Sequence, residues 1–238
     1  MELALDTSSN AASIALSHKG EVLVELAWKS VQNHTVELLP NLVQLLHQAR
    51  ISQDSIEAIM VAIGPGSFNG LRVGISVAKG LAFSLNIPLV GISTLEAEAY
   101  PFAYTELPLC PIHKAGMEQV ATALYQQKNG QWLKLEEEHL ATIDALCQRI
   151  KEETLFCGEI PREIADEIRQ GLGKQAIIIP QMVSGLSRSG SLALLGWQRL
   201  CQGKQDNLAT LQPLYLRPPH ITKPRDRSAS DASSKVRL

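Results

Sequence analysis

Between Ile59 and Ala97, apolar runs and turn residues alternate in a pattern that sets the architecture of the chain. Ile59–Ile63 is a short apolar run that enters Gly64-Pro65-Gly66 and leaves into a helical pattern from Leu71 to Leu85. That is the signature of a buried strand, a glycine-rich turn (Gly64 to Gly70) and a helix. A second apolar run, Pro88 to Gly91, precedes a helix opened by Ser93. Two buried strands joined through a helix predict a parallel crossover and an α/β sheet. Upstream, Glu2–Asp6, Ser13–Ser17 and Val22–Trp28 read as strands, the last two joined by the Lys19-Gly20 hairpin signal. His34–Ala49 is an amphipathic helix: Leu38, Leu39, Leu42, Leu45, Leu46 and Ala49 form one stripe, widened by Val36 and Val43. Pro40 lies in its first two turns, where a missing N–H costs least.

The same order then returns. Pro101, Pro108 and Pro111 punctuate a boundary near Tyr104, after which Cys110–Ala115, Gln119–Gln126 and Trp132–Glu137 read as strands. Asn129-Gly130 is the hairpin signal between the last two. A helix Ile143–Lys151, a strand Thr154–Cys157, a helix Arg162–Gln170, a strand Ala176–Ile179 and a helix Gly190–Cys201 complete it. The repetition predicts a duplicated domain, with residues 1–104 as the first unit and 105–216 as a smaller, more polar second unit. Residues 217–238, Pro-Pro followed by charges and Ser/Ala/Asp, hold too little apolar content to fold and are expected to be a disordered tail.

The helix from Leu71 to Leu85 is apolar on more than one face. Leu71, Ile75, Ala78, Ala82 and Leu85 lie on one side, Val73, Val77 and Leu81 on another, and Gly74, Ala78 and Ala82 form a row of small side chains. A helix lying on a sheet with its back in water needs one stripe. Such a helix is either central to a large domain or covered by a partner, and the pattern leaves both readings open.

Composition narrows the field. A length of 238 residues allows one or two domains, and the net charge of −2 excludes a basic nucleic-acid platform for the fold as a whole. The tail carries net +4, leaving the body at −6. Cys110, Cys147, Cys157 and Cys201 are widely spaced without a C-x-x-C pair, as expected of free buried thiols in a reducing compartment. No apolar run reaches the ~18 residues of a membrane span, and a strand with an acidic residue at position 2 stands in place of a leader. The expectation is a cytoplasmic protein away from membranes.

Candidate chemistry gathers at two turns. Asp6-Thr7-Ser8-Ser9 ends the first strand with a carboxylate and three hydroxyls, the place where α/β folds put phosphate or metal–phosphate chemistry, though Asp and Ser also simply form turns. Gly64, Gly66, Ser67 and Gly70 would present backbone N–H groups at a helix start, an anion site in principle. The loop is neither a Walker A nor a G-x-G-x-x-G motif, because no Lys-Ser/Thr follows and Asn69 holds the third glycine position. His34 opens a helix, but Leu38 stands where a second metal ligand would be, and no H-E-x-x-H or G-x-S-x-G occurs. No catalytic or metal set is identifiable from the residues.

LALDTSS, HTVELLPNLVQLL, VAIGPGSFNGLRVGISVAKGLA and GISTLEA, in this order and spacing, resemble the TsaB (YeaZ) family, with Asn69 in place of the usual Thr of GPGSFTGLR. The match is strong over residues 3–100 and returns at PLYLR (Pro213–Arg217). The resemblance implies two actin-like, ribonuclease-H-like domains of the ASKHA type, with mixed sheets flanked by helices. It also implies a non-catalytic role in making N6-threonylcarbamoyladenosine at position 37 of tRNA, beside a TsaD-like subunit that holds the metal and a TsaE-like P-loop ATPase. Pairing through the two N-terminal helices is implied as well, which favours partner burial. The interface expected on that basis comprises His34, Leu38, Leu42, Leu45, Leu71, Gly74, Ile75, Ala78, Leu81 and Ala82, and a homodimer would use the same helices in the absence of the partner. No tightly bound cofactor is expected, with ATP or ADP reserved for the partner interface. The second domain departs from the family pattern around Lys114–Met117 and Gln119–Ala121. The alternative reading is an ATP-binding actin-like enzyme, a kinase or acyl transferase, with Asp6 and the Gly64–Gly70 loop at the nucleotide. A metallopeptidase reading finds no ligand set.

Overall fold

The computed structural model describes residues 1–30, 33–116, 118–180 and 187–217; the expected tail lies outside them except for Arg217. Strands β1 (Glu2–Asp6), β2 (Ala11–His18), β3 (Glu21–Lys29), β4 (Ala58–Gly64) and β5 (Leu89–Ser93) form one sheet in the order β3-β2-β1-β4-β5. Strands β6 (Leu109–Lys114), β7 (Val120–Lys128), β8 (Gln131–Ala141), β9 (Thr154–Gly158) and β10 (Ala176–Ile178) form the other, in the order β10-β9-β6-β7-β8. Each sheet has an antiparallel meander of three strands extended by two parallel ones. Read from the meander inwards, the two orders are identical, which establishes the duplication. Both hairpins turn through a residue pair with positive φ, Lys19-Gly20 and Asn129-Gly130, as the right-handed strand twist requires.

Helices cover each sheet on both sides. On the outer face of the first sheet lie α1 (His34–Ala49) and α2 (Phe68–Leu85), which bury Leu38, Leu45, Ile75 and Ala78 against Leu3 and Leu5 of β1. On the second sheet the equivalents are α4 (Ile143–Arg149) and α5 (Arg162–Leu172), packed with Ile112 and Phe156. The alternation of β1 sends Ala4 the other way, into a cluster with Leu192, Ala193 and Leu195 of α6 (Ser189–Cys201). Helix α3 (Thr94–Ala99) follows β5, yet Leu95 and Ala99 pack with Leu109, Ala123 and Tyr125 of the second sheet. Each half therefore lends its last described helix to the other. The halves are bound along their inner faces.

Several boundaries move from their sequence positions. Helix α2 begins at Phe68, three residues before the apolar pattern, because Ser67 caps it by accepting from the Gly70 N–H. The helix opened by Ser93 lasts six residues and passes into a 3₁₀ segment, Tyr100–Thr105, with Pro101 in its first turn. Of the cysteines, Cys110 and Cys157 are buried thiols whose pKa burial pushes up, to about 12 for Cys110, whereas Cys201 is exposed, contrary to expectation. Among the described residues no helix is long and apolar enough to cross a membrane.

Candidate functional site

The two turns singled out in the sequence meet at the carboxyl ends of β1 and β4, which are paired neighbours. Asp6 is fully buried, and its Oδ1 accepts from the Ser8 backbone N–H at 2.8 Å and from the Ser8 hydroxyl at 2.6 Å. The Thr7 hydroxyl donates to the Gly70 carbonyl at 2.7 Å, and the Ser67 N–H donates to the Ser8 carbonyl at 2.6 Å. A Cβ at Gly66 would stand 2.3 Å from the Ser8 carbonyl oxygen, and one at Gly70 2.0 Å from that of Thr7. Gly66 and Gly70 of the loop that reads as a phosphate site are thus required by the close approach of the chain's own Thr7-Ser8 turn, and Gly64 by its positive φ of 111° and the nearby Leu214 carbonyl. The Gly70 and Leu71 N–H groups are also met internally, by the Ser67 hydroxyl and carbonyl. These amides are satisfied within the chain.

A residue that sequence reasoning missed completes the arrangement. Arg188, 182 positions from Asp6, donates from Nε to Asp6 Oδ2 at 2.6 Å and from Nη2 to the Ser9 hydroxyl at 2.7 Å. Its Nη1 lies 3.9 Å from Glu98 Oε1, and the other Glu98 oxygen pairs with His113 Nε2. All four ionisable side chains are buried. Burial works against both cations, but the attraction of Asp6 and then Glu98 holds the guanidinium pKa up, and Glu98 raises that of His113. No sequence signal marks Arg188, because its partners lie on β1 and α3 of the other half.

Beside this cluster a cleft of about 530 Å³ opens between the two sheets, lined by Ser8, Ser67, His113, Lys114 and Tyr215 among others. Tyr215, in the segment after α6, stacks on Phe68 with ring centres 5.0 Å apart and accepts from Arg72 Nε at 3.1 Å. The Leu214 N–H continues this seal, donating to the Ile63 carbonyl at 2.7 Å. Among the described residues no group of three or more His, Cys, Asp or Glu side chains is arranged to hold a metal ion. His34 is buried, and burial lowers its pKa against the opposing pull of Glu37 and Asp6; Leu38, one turn on, is core.

The two N-terminal helices orient otherwise than the expected interface requires. His34, Leu38, Leu42, Leu45, Leu71, Gly74, Ile75, Ala78 and Ala82 are buried within this chain, and Leu81 is half-buried against the same core. The extra apolar positions Val73, Val77 and Leu81 are partly buried, packed against the same cluster. The core reading therefore accounts for these residues. What α1 and α2 leave in water is a different set: Val36, Leu39 and Val43, one turn apart, and Phe83, 80% exposed.

Residues 22–213 match the family model TsaD, described as tRNA N6-adenosine threonylcarbamoyltransferase. The chain is 30% identical to the Escherichia coli tRNA threonylcarbamoyladenosine biosynthesis protein TsaB, across 90% of this chain and 94% of that protein. The chain belongs to the TsaB (YeaZ) family. The Bacillus subtilis protein of the same name is 39% identical over 128 residues, 54% of this chain, and the alignment spans just over half (56%) of that relative. Among solved structures, YeaZ from Pseudomonas aeruginosa superimposes with a TM-score of 0.73 at 27% identity, covering 90% of this chain and 99% of that one. The two mixed sheets flanked by helices are the actin-like arrangement of this family. The internally satisfied turn described above is thus a property of a TsaB-family chain.

Proposed function

We propose that this chain is the non-catalytic, partner-binding subunit of an assembly that forms N6-threonylcarbamoyladenosine at position 37 of tRNA, in the cytoplasm. Its partner is a TsaD-like catalytic subunit, held against the outward faces of α1 and α2. A TsaE-like P-loop ATPase joins the pair, tRNA is reached through the complex, and two copies of the chain associate through the same faces when the partner is absent. Any nucleotide belongs at the partner interface. The observation that carries the reading is the set of large apolar side chains left in water by these helices, Val36, Leu39, Val43 and Phe83. Exposed apolar clusters of this kind mark association surfaces.

A sizing column run on the chain mixed with its TsaD-like partner tests the reading. The native chain should co-elute, and Val43→Glu combined with Phe83→Glu should elute alone with an unchanged circular dichroism spectrum. Undiminished co-elution of the double variant would place the contact elsewhere.

The second reading, an ATP-using enzyme, is favoured by the cleft of about 530 Å³ with Ser67 and Lys114 on its wall. Titration calorimetry with ATP and magnesium separates the two. Binding with turnover that Asp6→Ala abolishes would establish the enzyme, and heats no larger than dilution favour the subunit.

A further inference from the structure

Five oxygens, four from residues 6–11 and one from Glu98, converge on the guanidinium of Arg188. Asp6 Oδ2 lies 2.6 Å from Nε; the Ser9 hydroxyl lies 2.7 Å from Nη2, and the Ser8 hydroxyl and the Ala11 carbonyl each lie 3.4 Å from it. The fifth, Glu98 Oε1, stands 3.9 Å from Nη1 and is buried without a hydrogen-bond partner among the described residues. Asp6 and Glu98 are 0% and 4% exposed, so neither carboxylate has bulk water to turn to. Two carboxylates, two hydroxyls and a carbonyl are the ligand types of a hard divalent cation such as Mg²⁺, Mn²⁺ or Ca²⁺. They also stand at the carboxyl end of β1, where an α/β fold places metal–phosphate chemistry.

The residues as they stand do not fit a metal. Arg188 fills the centre of the group, and a divalent ion brought beside it would meet a buried positive charge at hydrogen-bond range. Arg188 faces both carboxyl groups, Asp6 through Nε and Glu98 through Nη1, and His113 takes the other Glu98 oxygen. We infer that Arg188 is the resident cation of an oxygen cradle built for a divalent metal ion. Its guanidinium stands where the ion would and makes this fold independent of metal and of the nucleotide phosphates a metal would bring. Deleting the guanidinium reopens the cradle. The inference concerns the isolated chain and does not rest on the proposed partnership.

The test uses the full chain with Mn²⁺ as the probe, read by electron paramagnetic resonance and by the thermal midpoint. Four forms are compared: native, Arg188→Lys, Arg188→Ala, and Arg188→Ala with Asp6→Asn. Arg188→Ala should bind one Mn²⁺ and show a midpoint that is lowered in chelator and rises with added ion. The native chain and Arg188→Lys should show no Asp6-dependent ion, and the double variant should bind at least ~tenfold more weakly than Arg188→Ala because one charged ligand is gone. If Arg188→Ala folds only with Mn²⁺ present, the inference holds on that ground. A folded Arg188→Ala that takes up no ion overturns it, as does failure to fold even with Mn²⁺. Asp6-dependent uptake by the native chain would overturn it equally.

Discussion

Helices α2 and α5 occupy equivalent places in the two halves, each following the fourth strand of its sheet, yet their outward faces differ. On α5 the outer face is charged, with Asp166 bridged to Arg169 at 2.9 Å and Arg162 and Glu163 also exposed. Ala165, Ile168 and Leu172 supply the single inward stripe that a solvated helix needs. On α2 the outward face carries Phe83 and an uncovered Gly80, and its neighbour α1 adds Val36, Leu39 and Val43. The same fold, repeated once, therefore shows what a water-facing pair of helices looks like and marks the other pair as unfinished. The internal duplicate acts as the control for the proposed partner surface.

The largest way to test that contrast is to place a charge on the inward stripe. Ala78→Glu buries a carboxylate with no cation to meet it in the core of the first half, at a cost of about 3–5 kcal/mol. The variant should unfold or lose most of its cooperative melting transition, as followed by circular dichroism. A stable Ala78→Glu chain would mean that α2 is not core.

Outward substitutions should separate stability from association. Phe83→Glu should change folding stability by no more than about 0.5 kcal/mol, because its ring contacts water. The same change should weaken partner binding by ~2 kcal/mol or more, if the ring is an anchor, as measured by calorimetry. Arg162→Glu on α5 should leave both quantities unchanged. Equal effects at the two helices would erase the distinction.

The two halves also differ in how their buried histidines titrate. In the first, burial depresses the pKa of His34 from 6.5, so its contribution to stability is complete above 6.5 and is lost as pH falls through the depressed value. In the second, burial is outweighed by Glu98, with Glu159 assisting and Arg188 opposing, so His113 sits above 6.5. Its contribution is complete below 6.5 and fades as pH rises through the raised value. Thermal midpoints across pH should peak between the two. His34→Gln should flatten the acid side and His113→Gln the alkaline side.

The smallest effect concerns Gly80. It lies inside α2, and a Cβ there would have nothing within 4 Å. Gly80→Ala should raise stability by about 0.5–1 kcal/mol through helix propensity alone, measured by denaturant unfolding.

How far the sequence revealed all this depends on the range of each signal. The apolar strand runs, the two hairpin pairs and the Ser93 helix start are local, and the duplicated order of elements followed from them. The GPGSFNG turn was equally visible, but its purpose was not. Gly66 and Gly70 are set by Thr7 and Ser8, more than fifty residues away, and a glycine required by a chain contact reads like one required by a phosphate. Helix faces failed for a related reason: Val73 and Val77 looked superfluous because a pattern does not reveal that α1 flanks α2. Arg188 left no trace at all, since a single arginine between two serines carries no periodicity, and the carboxylate it neutralises belongs to the other end of the chain.

The crossing of α3 and α6 has a further consequence. Residues 1–104 expressed alone would keep a five-stranded sheet whose inner face, Ala4, Ala15, Met60 and Val90, had lost the helix that covers it. A lone unit of this design completes itself only by giving its final helix to a second copy and receiving one in return.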